Sequence, residues 1–112
     1  MSDIEAKEFA EVADLVAPAL GTKVIVINGK KVEIKKITVG EIADILKVSK
    51  DSELDQYIWM IYKGVVKPKL TVDQIRNMKH TEVLMLALEI GKFSGLDKDS
   101  MMKLENLLNP PS

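Results

Sequence analysis

The chain has 112 residues, the length of one domain, and 46% of them are hydrophobic, which is enough to form a core. Charged residues make up 29% and the formal net charge is −1, a balance that argues against binding mainly through phosphate contacts. The chain has no cysteine, which excludes disulfides, a thiol nucleophile and thiolate metal sites. Its start is acidic rather than signal-like, and no apolar run approaches the roughly 18 residues of a membrane span. We therefore expect a cytoplasmic protein.

The first predicted element is an acidic helix over residues 3–17. Ser2 or Asp3 can cap it, and Pro18 ends it because the residue before a proline avoids the helical region. A narrow apolar stripe is formed by Phe9, Val12, Ala13 and Val16. Residues 1–22 carry five acids and one lysine, a net charge of 1 − 5 = −4. We treat residues 1–20 as a separate segment, either docked on the body or ordered only by a partner.

A β-hairpin is predicted next. Residues 24–27 are continuous and β-branched, which favours a strand. Asn28-Gly29 is a strong hairpin signal, because a type I′ turn needs a positive φ at both central positions. Val32 and Ile34 alternate with charged residues, so we expect one buried and one solvent-facing side.

A helix is predicted to begin directly behind the hairpin. Thr38 and Glu41 have the spacing of a capping box, in which each side chain binds the backbone amide of the other residue. The buried stripe of this helix is predicted to be Ile42, Ile45 and Leu46.

The rest of the chain is predicted to be helical. Ser52 caps a helix whose core face is Leu54, Ile58, Ile61 and Val65, and Lys67-Pro68-Lys69 breaks the chain behind it. Thr71 and Gln74 open a short helix through a second capping box. A helix starting at His80 or Thr81 is apolar nearly all round, so we expect it to be central and buried. It ends at Gly95, and Asp97 caps a last helix with Met101, Leu104 and Leu108 on one side.

These elements predict an α+β fold that is mainly helical, with an N-terminal β-hairpin packed on a bundle of about five helices. Residues 21–108 form a single domain in this prediction, and residues 109–112 are a tail.

No residue pattern indicates a catalytic or metal site. His80 is the only histidine and lies at a helix junction without a partner motif, so a surface or capping role is expected. Asp51, Glu53 and Asp55 alternate as in a calcium loop, but the glycine and the distal glutamate of such a loop are missing. We interpret them as charges that favour a helix N-terminus. The sequence predicts no enzyme activity, no cofactor and no metal.

Two groups of side chains are candidates for binding a partner. Trp59, Met60 and Tyr62 lie beside the predicted core face, and exposed aromatic and methionine side chains are typical partner contacts. Met101 and Met102 are candidates for the same reason. The alternative is that neighbouring helices cover them.

The second group is the lysine-rich hairpin, in which five lysines against Glu33 give 5 − 1 = +4. Lys30 and Lys31 are its candidate contacts for an acidic protein partner, and a solvated strand face is the alternative. Nucleic acid is unlikely, since the hairpin has no aromatic residue and no arginine.

The order of these features resembles the tail assembly chaperones of long-tailed bacteriophages and prophages. The similarity spans residues 22–108, and the matching residues are Gly29, Lys30, Thr38, Gly40, Glu41, Ser94, Gly95, Leu96 and Asp97. The resemblance implies a non-enzymatic protein of the host cytoplasm that binds the tape measure protein and keeps it soluble during tail assembly. It implies no cofactor and no catalytic residue. The alternatives are a small homo-oligomeric adaptor or virion structural subunit and, behind these, a nucleic-acid-binding regulator.

Overall fold

In a computed structural model, which describes residues 8–49 and 52–96, the chain is an α+β protein with five α-helices and a three-stranded antiparallel sheet. The elements in chain order are α1 (Val12–Val16), a 3-10 turn (Ala17–Ala19), β1 (Thr22–Ile27), β2 (Lys30–Lys35), α2 (Val39–Val48), α3 (Glu53–Gly64), β3 (Val65–Lys67), α4 (Val72–Arg76) and α5 (His80–Phe93). The predicted last helix, the predicted tail and the predicted start of the first helix lie outside the described residues.

The predicted hairpin is confirmed. β1 and β2 pair antiparallel with Ile27 opposite Lys30 and Ile25 opposite Val32. Asn28 and Gly29 have φ values of 52° and 75°, as a two-residue type I′ turn requires.

β3 is a third strand, and the prediction that Val65 belongs to the helix behind Ser52 is wrong, because α3 ends at Gly64 and Val65 begins the strand. Its Val65 pairs with Ile34 of β2, and its Lys67 pairs with Glu33 across a register irregularity. The strand order is β1-β2-β3, so β1 and β3 form opposite edges of the sheet. The break predicted at Lys67-Pro68-Lys69 follows this short strand.

Three helix starts have the predicted caps. The Thr38 and Thr71 hydroxyls accept from the amides of Glu41 and Gln74 at 3.2 and 3.1 Å, and both capping boxes are complete. The Ser52 hydroxyl accepts from the Asp55 amide at 3.1 Å.

The predicted end of the last described helix is also confirmed. Gly95 has a φ of 84°, and the Leu96 amide donates to the Gly91 carbonyl at 2.8 Å.

The prediction for the first helix is wrong over residues 8–11, which are not helical. α1 begins only at Val12, because the Glu11 amide donates to the Asp14 carboxylate at 2.9 Å and so forms the cap there. α1 contains no buried residue, and Phe9 before it is fully exposed.

The core joins side chains of the sheet to side chains of the helices. Its fully buried members are Ile34 of β2, Ile61 of α3, Ile75 of α4 and Ile90 of α5. At Gly64 the backbone of α3 lies close enough to Ile90 that an added Cβ would come within 2.8 Å of it. The small residue thus permits a close approach of α3 to α5.

Two burial predictions are wrong. α5 is buried on one face only, through Val83, Leu86, Ala87, Ile90 and Gly91, whereas Leu84, Met85 and Leu88 are exposed. In α3 the side chain of Leu54 is exposed, so its place on the predicted core face is wrong, whereas that of Met60 is buried.

Candidate partner-binding groove

The direct passage from α3 into β3 creates an open groove at the β3 edge of the sheet. Gly64 ends the helix, and its neighbour Val65 already lies in the strand. The last turn of α3, the strand and the following loop therefore converge on one surface. The groove has a volume of about 760 Å³ and is lined by Lys35, Tyr62, Lys63, Val65, Val66, Lys69, Leu70 and Thr71. We call it the Tyr62 groove.

The floor of the Tyr62 groove is apolar and partly accessible. Tyr62 is 44% exposed, Val66 and Leu70 are half-buried, and Val65 is buried. The half-buried Trp59 lies against Tyr62 with the ring centroids 5.5 Å apart and the planes at 82°. This edge-to-face contact is a favourable aromatic geometry, and it restricts the orientation of the exposed phenol ring.

Three lysines form the rim of the groove. The Lys35 ammonium lies 2.6 Å from the Glu41 carboxylate, and the Lys63 ammonium lies 3.9 Å from the Asp44 carboxylate. Lys69 is exposed and has no ion pair within residues 8–49 and 52–96. The groove therefore combines an apolar floor with a rim of three ammonium groups, of which only that of Lys69 is not paired with a carboxylate among the described residues.

The electrostatics of Glu41 keep Lys35 at this rim. Burial alone would raise the pKa of the Glu41 carboxyl, but hydrogen bonds from Lys35 and from the Thr38 backbone, with the charge of Lys35, outweigh it. The pKa of Glu41 is consequently lowered. At neutral pH the Glu41 carboxyl is therefore ionised, and the same carboxylate that caps α2 holds the Lys35 ammonium.

The structure brings together only some of the candidate residues named from the sequence. Tyr62 lines the groove and Trp59 supports it. Met60 is 6% exposed and belongs to the core, so the expectation that it forms accessible surface is wrong; it lies on the side of α3 that packs inward. Lys30 and Lys31 are exposed on the hairpin and do not line the groove.

Met101 and Met102 lie outside the described residues. Conversely, Val66, Lys69 and Leu70 line the groove but were not identified from the sequence. The adjacent β-branched residues at positions 65 and 66 were the available signal for a strand there.

The part of the chain that the structure describes holds no group of three or more His, Cys, Asp or Glu residues placed to bind a metal ion. In the same residues, every buried side-chain nitrogen and oxygen atom has a hydrogen-bond partner. His80 is exposed at the first residue of α5. None of the helices within 8–49 and 52–96 is long and apolar enough to cross a membrane.

Comparison of the chain with protein-family models, with curated proteins and with solved structures found no match.

Proposed function

We propose that this chain is a non-enzymatic binding protein that holds an amphipathic helix of a longer partner in the Tyr62 groove. The observation that carries the proposal is the combination in one groove of an accessible aromatic floor and a lysine rim. Together with the family resemblance over residues 22–108, it supports a phage tail assembly chaperone, acting in the host cytoplasm on the tape measure protein or another tail component.

The groove suits a helix with one apolar face and acidic flanks. A large apolar side chain of the partner packs on Tyr62 and Leu70, where the half-buried surface can still be removed from water. Acidic residues beside that face meet the lysines of the rim, which favours encounter and orientation more than affinity. A tyrosine at the centre of such a contact is a typical energetic anchor.

A chaperone of a long helical protein needs only modest affinity at each contact. A tape measure protein presents many similar helical turns, so several copies bound along it act together by avidity. Each copy covers an apolar stripe of the partner and presents its own charged surface to water. The exposed apolar area of the partner falls as a result, and with it the tendency to aggregate.

Co-expression with the tape measure protein tests the proposal. This partner is expected to be encoded just downstream as a very long, helix-rich reading frame. We expect its soluble fraction to rise when the chain is present. The single tryptophan, Trp59, lies against Tyr62, so its fluorescence should change when a partner helix fills the groove.

Matched variants locate the binding surface. Tyr62→Ala and Lys69→Glu should reduce the soluble fraction of the partner. Lys31→Glu makes the same charge change on the hairpin, away from the groove, and Leu54→Ala removes an exposed apolar side chain from the same helix as Tyr62. Both controls should keep the effect. Loss of the effect with Lys31→Glu but not with Lys69→Glu would move the site to the hairpin, and no gain in solubility with the wild-type chain would end the proposal.

One observation favours the alternative of a homo-oligomeric adaptor or structural subunit, namely the edge of β1, which pairs with no further strand within residues 8–49 and 52–96. If the chain self-associates but leaves the solubility of the tape measure protein unchanged, that alternative replaces the chaperone.

A further inference from the structure

The free edge of β1 lacks the usual protection against strand pairing. Within residues 8–49 and 52–96, β1 is hydrogen-bonded to β2 on one side and to no strand on the other. Edge strands are normally blunted by lysine, proline or a bulge. Here the only lysine of the strand is Lys23 near its start, and residues 24–27 are uncharged and β-branched. Val24 and Val26 are 57% and 64% exposed.

An apolar shelf runs beside this edge. Met85 and Leu88 of α5, which are 51% and 48% exposed, line an open groove together with Ile25, Val26 and Ile27 of β1. Glu89 also lines this groove, and its carboxylate lies 4.0 Å from the Lys92 ammonium. A further strand placed against β1 would lie over Met85 and Leu88. It would cover the exposed valines and the exposed face of α5 at the same time.

We infer that two copies of this chain pair antiparallel through β1, centred on Ile25, so that their sheets join into one continuous sheet. The occupant of the edge is thus a second copy. The inference does not rest on the proposed function, because the Tyr62 groove lies at the β3 edge of the sheet and remains open in such a dimer.

The hydrogen-bonding pattern of the hairpin allows this register. Ile27 and Lys30 flank the two-residue turn and so form a hydrogen-bonded pair. Hydrogen-bonded and non-hydrogen-bonded residue pairs alternate along an antiparallel ladder. The backbone groups of Ile25 therefore point toward β2, and those of Val24 and Val26 point toward the free edge. With Ile25 opposite its own copy, Val24 pairs with Val26 of the second copy, and each such pair exchanges two backbone hydrogen bonds.

The side chains match in the same register. Ile25 meets its own copy above the shelf, while the exposed valines meet on the opposite face. In β2, Val24 has Glu33 as its neighbour and Val26 has Lys31. A row across the four strands of the dimer therefore contains Glu33 and Val24 of one copy followed by Val26 and Lys31 of the other. Each row has a carboxylate at one end and an ammonium at the other. In a register centred on Val26, one row would instead have a Lys31 at each end. The two charged residues of a row stand three strand spacings, about 14 Å, apart, so they interact only at long range. This long-range interaction is attractive in the Ile25 register and repulsive in one row of the Val26 register, which favours Ile25 as the centre.

The oligomeric state gives the first test. By analytical ultracentrifugation, the full chain should reach a mass about twice that of the 12.5 kDa protomer as its concentration rises. Val24→Pro should return it to the protomer mass. In the inferred pattern the amide of Val24 has no partner in the monomer, so proline there blocks pairing between copies without removing a bond to β2. Val26→Lys, which introduces on this edge strand the residue type that normally blunts such edges, serves as a second variant with no change in backbone.

Cysteine cross-linking tests the register. The chain has no cysteine, so each variant contains a single thiol. Ile25→Cys should form a disulfide-linked dimer on mild oxidation, because a non-hydrogen-bonded pair places the two Cα atoms about 4.5 Å apart. Val24→Cys and Val26→Cys should cross-link efficiently only when mixed with one another. A wild-type chain that stays monomeric at high concentration, or a dimer that persists in both Val24→Pro and Val26→Lys, would overturn the inference.

Discussion

Substitution of Gly64 by alanine is expected to destabilise the protein, because α3 and α5 meet at this residue without space for a side chain. A Cβ at position 64 would lie 2.8 Å from both the Cδ1 and the Cγ2 atoms of Ile90 and 3.1 Å from its Cγ1 atom. Ile90 is fully buried, and its β-branched side chain has little rotamer freedom in a helix. The clash can therefore be relieved only by moving one helix away from the other.

The net cost follows from two opposing effects. Overpacking of a well-packed core costs about 1–3 kcal/mol. Alanine is preferred to glycine inside a helix by up to about 1 kcal/mol, but Gly64 is the last residue of α3, so little of that preference applies. We expect the free energy of unfolding to fall by about 1–2 kcal/mol. For a domain of this size, each kcal/mol lowers the melting temperature by roughly 4–8 °C.

Chemical or thermal denaturation measures this effect, and Gly40→Ala is the matched control. The nearest atom to a Cβ at position 40 is the Thr38 hydroxyl oxygen at 3.9 Å, and the residue lies in the first turn of α2. The same substitution there should raise stability by about 0.4–1 kcal/mol. Ile90→Val should cost less in the Gly64→Ala background than in the wild type, since it removes one of the clashing atoms. A neutral or stabilising Gly64→Ala variant would refute the close approach of the two helices.

Three further predictions concern local elements. Gly29→Ala should lower the free energy of unfolding by about 1 kcal/mol. Gly29 has a φ of 75° with open space around it, so the cost comes from backbone conformation alone. Gly29→Asn should cost less, and thermal melts followed by circular dichroism compare the two variants. Because the pKa of Glu41 is lowered in the folded state, its ion pair adds stability above the ordinary carboxyl pKa and loses it as the pH falls through the folded-state value. Glu41→Gln should thus be less stable than the wild type at neutral pH, with the gap closing in acid, and an unchanged gap in pH-dependent urea melts would contradict this. Thr71→Ala should cost about 1 kcal/mol through loss of the α4 cap, and equal stability in guanidinium melts would show that the cap contributes nothing.

Local signals in the sequence were sufficient for the features whose partners lie within a few residues. The Asn28-Gly29 turn and the Thr38 and Thr71 capping boxes were all predicted, and the structure confirms them. Each depends on the conformational preference of one residue or on a hydrogen bond between residues three apart in the chain. A local signal gave a wrong prediction at α1. There an apolar stripe predicted a helix that begins earlier than Val12, whereas Glu11 caps the helix in the structure.

The candidate site could be predicted only in part. Tyr62 was named from its chemistry, and it lines the groove. Met60 also has a side chain that is typical of binding surfaces, but it lies in the core. Helix periodicity places it near the edge of the predicted core face, where burial depends on the position of α5. Lys69 was not named, because it becomes part of the rim only when the loop after β3 is folded back beside α3.

By itself, the sequence determined the α+β class, the hairpin with its turn, and the positions at which α2, α3 and α4 begin, because those features follow from the backbone preferences and hydrogen bonds of neighbouring residues. Tertiary structure alone decided that Val65 joins β2 as a third strand, that α5 buries one face and leaves Met85 and Leu88 exposed, and that Tyr62 and the lysines surround one groove. Such outcomes depend on contacts between residues distant in the chain, for which residue type and spacing carry no direct signal.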